Sequence, residues 1–139
     1  MTAQPLLLDT CAAIWLANGD PLSDESLAAL GDARRAGLSI AVSPITAWEI
    51  GMLNSRGRLP LLLEPQAWFR SLTGLPGIQL AAMSPDVLVQ SSFLPGEPPR
   101  DPADRIIAAT ARAFGLRLVT RDHLLLEYAE AGHLEAVYC

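Results

Sequence analysis

Short apolar runs alternate along the chain with longer segments whose apolar residues recur at helical spacing. The short runs are typical of buried strands, and they cover residues 6–8, 38–42, 78–82, 116–119 and 136–138. Helices are predicted between them over residues 10–17, 24–36, 44–54, 66–72, 85–93, 102–114 and 124–130. Strands separated by helices form parallel sheets that helices cover on both faces. We therefore predict an α/β fold, a three-layer α/β/α sandwich around a central parallel sheet of about four to five strands.

Local signals support the predicted ends of these helices. Ser43-Pro44 and Asp101-Pro102 each combine a capping residue with a proline suited to the first helical turn. Gly115 follows the predicted helix over residues 102–114, as expected for a helix stop. The proline-rich segment 94–100 is predicted to be a loop. Because no repeat or second unit is visible, residues 1–139 are predicted to form a single domain.

Four acidic residues lie where buried structure is predicted. They are Asp9, Glu49, Asp104 and Asp122. Asp9 and Asp122 each follow a strand, whereas Glu49 and Asp104 lie in early turns of helices. Carboxylates beside buried strands are costly unless a cation or a metal accompanies them. In open α/β sheets, ligands bind outside the carboxyl ends of the strands, so we expect the four acids to meet there and bind a divalent metal ion.

Each acid, taken alone, has a simpler explanation. Asp104 suits the first turn of a helix through the helix dipole, and Asp9 could cap the helix that it precedes. Asp122 could be an ordinary turn residue, and Glu49 could lie on the surface. The hypothesis of a metal site therefore depends on all four acids being close together. Asp101 is predicted to be a cap and not a ligand.

Other side chains that could carry chemistry are predicted to be structural. Cys11 is expected to be a small buried helix residue, His123 to face solvent, and His133 to be structural or exposed. The tryptophans are predicted to be core or interface anchors, and they are Trp15, Trp48 and Trp68. Two cysteines near opposite ends give no disulfide framework, which favours a reducing cytoplasm.

Composition narrows the possible functions. Half of the 139 residues are apolar, yet no apolar run approaches the roughly 18 residues of a membrane span. No basic region precedes the first leucine run, so no signal peptide is predicted. The net charge of −5 argues against a dedicated nucleic-acid-binding face. It does not exclude a nuclease, because bound metal ions offset local negative charge.

The absence of lysine excludes two classes of phosphoryl chemistry. All ten basic residues are arginine. Aspartates at strand ends fit a receiver domain, an aspartyl-phosphate phosphatase or a metal-dependent nuclease. Proteins of the first two classes need a lysine near the phosphate, so only the nuclease remains.

Four segments together carry a family resemblance, namely residues 7–10, 43–50, 101–111 and 118–122. In order, spacing and local context they resemble the PIN-domain ribonucleases, and in particular the VapC toxins of bacterial type II toxin–antitoxin (VapBC) pairs. The similarity spans about residues 6–138. Two departures are visible: such toxins often have histidine where Cys11 stands, and often have another within the segment that is Pro98-Pro99-Arg100 here.

The resemblance implies a Mg²⁺- or Mn²⁺-dependent endoribonuclease with an acidic quartet that is both catalytic and metal-binding. The quartet comprises Asp9, Glu49, Asp104 and Asp122. Asp9 and Asp104 are expected to be direct ligands, and the other two to bind through water, complete a second site or act as a base. A hydroxyl of Thr10 or Thr120 is expected to orient a carboxylate or a water molecule.

The resemblance also implies partners. Single-stranded or loop RNA is the expected substrate. The candidate phosphate contacts lie near the predicted acidic segments, and they are Arg56, Arg58, Arg100, Arg105 and Arg121. Any one of them, taken alone, is expected to be a solvated surface arginine, and Arg105 could instead pair with Asp101 or Glu97. A cognate antitoxin is expected to cover the cleft, and a homodimer to assemble with it into a larger complex. Residues 59–75 could form the dimer or antitoxin surface, or simply pack in the core. The alternative is a catalytically silent PIN-fold binding module that mainly contacts its antitoxin.

Overall fold

A computed structural model describes residues 3–139 as a sheet of five parallel strands surrounded by helices. The strands are β1 (Leu6–Leu8), β2 (Ile40–Val42), β3 (Ile78–Leu80), β4 (Arg117–Thr120) and β5 (Ala136–Tyr138). The helices are α1 (Thr10–Asn18), α2 (Asp24–Arg35), α3 (Pro44–Ser55), α4 (Pro65–Thr73), α5 (Pro85–Gln90), α6 (Pro102–Phe114) and α7 (His123–Glu130). The strand order is β3-β2-β1-β4-β5, and every pairing is parallel.

The two faces of the central strand explain the layered architecture. Leu6 and Leu8 belong to a core cluster that includes Leu30 of α2 and Trp68 of α4. Leu7 points the other way, into a cluster with Ile107 of α6 and Leu125 of α7. A strand buried on both faces must be apolar at every position, which is why β1 is an unbroken leucine run. The predicted three-layer α/β/α sandwich is confirmed.

Several predicted elements are longer than the observed ones. Strand β2 begins at Ile40 and not at Leu38, because the Leu38 N–H bonds to the Ala33 carbonyl at 2.9 Å and closes the end of α2. Helix α5 ends at Gln90 and not near Phe93, because the Phe93 N–H bonds only three residues back, to the Gln90 carbonyl. Leu38 and Phe93 are apolar, like the residues of the neighbouring elements, so the apolar pattern extends both predicted elements too far.

The apolar spacing of Ile45, Trp48 and Met52 does not mark the core face of α3. Thr46 and Ile50 are the buried residues of this helix, whereas Trp48 is 58% exposed. The hydrophobic pattern misses Thr46 because its hydroxyl is buried through a hydrogen bond and not through apolar packing. No helix formed by residues 3–139 is both long and apolar enough to span a lipid bilayer.

The predicted loop over residues 94–100 is fixed against α7. The Tyr128 hydroxyl donates to the Pro95 carbonyl at 2.5 Å, and the Tyr128 ring stacks on His133 with centroids 4.8 Å apart. Gly96 has a φ of 70°, and a Cβ there would lie 2.4 Å from His133 Nε2. His133 is therefore structural, as predicted, and the loop enters α6 in a fixed position.

Candidate functional site

Asp9 lies at the carboxyl end of β1 and is only 5% exposed. Its Oδ1 accepts a hydrogen bond from the Ala12 N–H at 2.8 Å, which caps α1. Its Oδ2 accepts a bond from the Thr120 hydroxyl at 2.5 Å. Burial raises the pKa of Asp9, although these two hydrogen bonds oppose the effect, and Asp122 raises it further. The side chain is thus a cap and also a buried, oriented carboxylate with lone pairs left over.

Thr120 connects Asp9 to Asp122. Thr120 ends β4 and is fully buried, and its hydroxyl oxygen accepts the Asp122 N–H at 3.0 Å. Asp122 caps α7 through Oδ1 alone, which accepts the N–H groups of Leu124 at 2.8 Å and Leu125 at 3.1 Å. One buried hydroxyl therefore fixes two of the predicted acids relative to each other across neighbouring strands.

Glu49 is held by Thr10, which is in turn bonded to Thr46. The Thr10 hydroxyl donates to Glu49 Oε1, and the Thr10 and Thr46 hydroxyl oxygens are 3.1 Å apart. Because Thr10 gives its only proton to Glu49, Thr46 must be the donor to Thr10. Burial raises the pKa of Glu49, the Thr10 bond opposes this, and Asp101 and Asp9 add to it.

The expectation that Thr10 or Thr120 orients a carboxylate is confirmed for both. Thr46 was not predicted as part of the site. Its signal in the sequence was a polar residue one helical turn before Glu49, on the face that α3 turns to α1. Buried hydroxyls of this kind hold acidic side chains in place without adding charge.

Asp104 lies in the first turn of α6 and is half-buried. Its backbone N–H donates to Asp101 Oδ1 at 3.1 Å, so Asp101 is the cap, as predicted. Burial raises the pKa of Asp104 to about 7, and the charges of Asp101, Asp122, Glu49 and Asp9 contribute to the rise. Asp104 therefore responds to the charges of all three other predicted acids.

Cys11 lies among the same charges. Partial burial raises the pKa of its thiol to about 11, and Asp9, Glu49, Asp104 and Asp122 raise it further. The prediction of a buried helix residue was wrong, because Cys11 as a whole is exposed. The buried residues of α1 lie on either side of it in sequence, so this position faces outward beside the acidic edge.

Burial, together with neighbouring acids, raises the pKa values of Asp9, Glu49 and Asp104, so a nearby cation would stabilise their charged forms. Over residues 3–139, the only ion pair joins Arg35 to Asp32, on the exposed surface of α2. The acidic set thus has no arginine partner within this range, and hard carboxylate oxygens suit a divalent cation.

The described part of the chain contains no ready group of three or more His, Cys, Asp or Glu side chains that could hold a metal ion. Mg²⁺ is usually bound by one or two carboxylates together with water and substrate phosphates. The arrangement fits an ion held in that way better than one enclosed by four protein ligands. The assignment of all four acids as ligands stays a prediction.

In a chelator, the metal-free protein should lose thermal stability as pH rises from about 4 to about 7. The pKa of Asp104 is raised from 3.8 to about 7 in the folded state, so the folded protein binds this proton more tightly than the unfolded chain. That contribution is complete below about pH 4 and is lost as pH passes through about 7. Raised pKa values at Asp9 and Glu49 act in the same direction.

Melting curves of the wild type and of Asp104→Asn measure this effect. The variant should show a smaller pH dependence, because an amide does not titrate in this range. Asp86→Asn, in the first turn of exposed helix α5, is the matched control and should behave as the wild type. An equal pH dependence in all three proteins would contradict the prediction.

The candidate phosphate contacts differ in their surroundings. Arg56, Arg58 and Arg100 are exposed, and Arg105 donates to the Ser91 carbonyl at 3.5 Å. Arg121 is the most constrained of the five, since it lies over the Trp15 ring. The structure therefore distinguishes Arg121 from the other four candidate arginines, which the sequence alone could not do.

Comparison with known proteins gives a consistent assignment. The model of the PIN domain family matches residues 6–131. Ribonuclease VapC22 of Mycobacterium tuberculosis is 33% identical over 121 residues, which cover 86% of this chain and 88% of that protein.

Solved structures show the same fold. The VapBC2 complex of Rickettsia felis, bound to a DNA fragment from its promoter, contains a chain that matches with a TM-score of 0.65 at 18% identity, covering 96% of this chain and 97% of that one. A toxin–antitoxin complex from Klebsiella pneumoniae matches with a TM-score of 0.59 at 25% identity, covering 95% of each chain.

Proposed function

The chain belongs to the PIN domain family, and we propose that it is a VapC-type toxin that acts as a Mg²⁺- or Mn²⁺-dependent endoribonuclease. One observation supports this most directly: at the carboxyl edge of the sheet, burial and neighbouring acids raise the pKa values of Asp9, Glu49 and Asp104, and these carboxylates have no arginine partner within residues 3–139. The ribonuclease name of the relative that is 33% identical points to the same activity. We also propose that residues 1–139 form one catalytic domain.

The chain's own residues would hold and orient the reacting groups. Asp9 and Asp104 would bind the ion directly, while Glu49 and Asp122 would hold its water molecules. A bound divalent ion supplies the charge that lowers the pKa of an attacking water and stabilises negative charge at the phosphate. The hydrogen bonds from Thr120 and from the Ala12 N–H keep the Asp9 carboxylate in one orientation, which lowers the cost of assembling the site.

The proposed partners are an RNA substrate and a cognate antitoxin, with a homodimer that assembles into a larger toxin–antitoxin complex. Residues 59–75 divide between core and surface: Trp68 and Leu72 are buried, whereas Leu62 and Leu63 are exposed. Clustered exposed apolar residues are typical of protein-binding surfaces. Both cysteines are free, which suits the cytoplasmic location that we propose.

A catalytically silent module that mainly contacts its antitoxin is the second candidate, because no ready metal-binding group is present within residues 3–139. Calorimetric titration with Mg²⁺ or Mn²⁺ separates the two candidates. A nuclease should bind the ion, and Asp9→Asn should weaken that binding. A wild-type protein that binds neither ion would favour the module.

The purified protein should cut total cellular RNA at discrete positions, and Asp104→Asn should not. Mapping of the new RNA ends by primer extension or sequencing measures this. Asp86→Asn changes an acid in the first turn of another helix, so it should cut as the wild type does. The same cuts in Asp104→Asn would indicate a contaminating nuclease, and no cuts with either metal would contradict the proposed activity.

A further inference from the structure

Arg121 is held in place by three parts of the chain. Its guanidinium carbon lies 4.0 Å from the centroid of the Trp15 ring on α1 and 5.8 Å from that of Tyr138 at the end of β5. Its Nη2 donates to the Cys139 carbonyl at 2.5 Å. An arginine fixed in this way has lost much of its conformational freedom before any ligand arrives.

No Asp or Glu side chain among residues 3–139 neutralises the charge of Arg121. The single ion pair found within residues 3–139 is elsewhere, between Arg35 and Asp32. A guanidinium has five N–H donors, and the Cys139 carbonyl occupies one position. The residue is exposed, so its remaining donors are open to a ligand from solvent. A planar fork of donors matches the oxygens of a phosphate group.

Arg121 is also close to the acidic edge. It stands between Thr120, which donates to Asp9, and Asp122, which caps α7. The charges of Asp9 and Arg121 both act on the Cys139 thiol, in opposite directions: Asp9 raises its pKa and Arg121 lowers it. The fixed cation and the buried carboxylate are therefore both close enough to act on the same thiol.

A cation at this place reduces an electrostatic problem of the proposed nuclease function. The inference rests on that proposed function. A chain with a net charge of −5 must hold a polyanion beside its own carboxylates. We propose that Arg121 binds a backbone phosphate of single-stranded RNA that flanks the phosphodiester to be cut. The Tyr138 ring, which is 49% exposed, offers a surface on which the base of the same nucleotide can stack. A carboxylate from a protein partner would make no use of that ring.

RNA binding without cleavage tests the subsite. The assay uses fluorescence anisotropy of a short, labelled single-stranded RNA of mixed sequence, with Mg²⁺ present and Asp104→Asn as the parent protein. Adding Arg121→Gln should weaken binding about tenfold. It should also lower the slope of log Kd against log salt concentration by about 0.7, the value for one phosphate contact with a single strand.

Two further variants make the result specific. Arg121→Lys keeps the charge but loses the planar fork, so the salt slope should stay and the affinity should fall. Arg117→Gln removes the same charge from the opposite end of β4 and should change neither quantity. Melting temperatures of all variants show whether each is folded.

The outcomes separate the subsite from the proposed function. An unchanged affinity and salt slope in Arg121→Gln, with a lower melting temperature, would mean that the arginine only clamps the chain around Cys139. Unchanged RNA binding together with weaker binding of a partner protein would indicate that Arg121 belongs to a protein interface. Either result overturns the subsite while wild-type RNA cleavage still supports the nuclease. If the wild type cuts no RNA and the parent binds none, both proposals fail.

Discussion

Replacing Asp9 with asparagine should lower the rate of RNA cleavage by at least about 100-fold, a loss typical of removing one preorganised electrostatic group. The substitution removes a charge and reverses one hydrogen bond. An asparagine oxygen can still accept the Ala12 N–H, and asparagine caps helices as well as aspartate does. The amide nitrogen then replaces the oxygen that accepts from Thr120, so the Thr120 hydroxyl would accept from it in place of donating. Because burial raises the pKa of Asp9, the neutral amide should leave the fold intact.

The measurement is the initial rate of cleavage of one mapped RNA site, together with the melting temperature. Asp86→Asn removes an exposed acid from a helix of the same chain and should keep the wild-type rate. If Asp9→Asn retains a rate within about twofold of the wild type, a smaller change than one lost interaction at the reacting charge produces, then Asp9 does not serve the reaction. A large fall in melting temperature would instead indicate that the charge is needed for folding.

The sequence predicted those parts of the fold that depend on burial and on capping. The run Leu6–Leu8 was recognisable because both of its faces are covered. Helix α6 was recognisable from its cap Asp101, its first-turn proline and the terminal Gly115, which has a φ of 63°. Such signals are local, so one sequence is enough to read them.

The apolar pattern fails to show which residues are buried where polar bonding competes with apolar packing, and the prediction for Cys11 was wrong. Trp48 is exposed, although it shares helical spacing with apolar neighbours, because α3 turns Thr46 to the interior. Cys11 is exposed although its neighbours in α1 are buried. Hydrophobic periodicity carries no information about which hydroxyl will find a partner on another helix.

The candidate site likewise combines features that the sequence predicts with features that only the structure shows. The carboxyl ends of parallel strands meet at one edge, so Asp9 and Asp122 could be placed together before the structure was known. The sequence could not show which hydroxyl bonds to which acid, since the Thr10–Glu49 and Thr120–Asp9 hydrogen bonds join residues 39 and 111 positions apart. Only the folded chain shows that Arg121, among five candidate arginines, is the one fixed on an aromatic ring.

Removing divalent ions should abolish cleavage, and adding Mg²⁺ or Mn²⁺ should restore it. Without an ion, burial and repulsion from neighbouring acids both disfavour the charged carboxylates, and together they raise the Asp104 pKa to about 7. With an ion, that repulsion becomes attraction to a common charge. Cleavage of the mapped RNA in EDTA should fall at least about 100-fold, because the charge that stabilises the reacting phosphate is lost.

Re-addition of each ion distinguishes a catalytic requirement from a structural one. The wild type should regain its full rate, whereas Asp9→Asn should regain none, even though the substitution also relieves the repulsion among the acids. A bound ion should also raise the melting temperature of the wild type more than that of the variant, since ligand binding stabilises the folded state in proportion to its affinity. Full activity in EDTA would show that the acidic edge works without a metal and would leave its raised pKa values without a catalytic role.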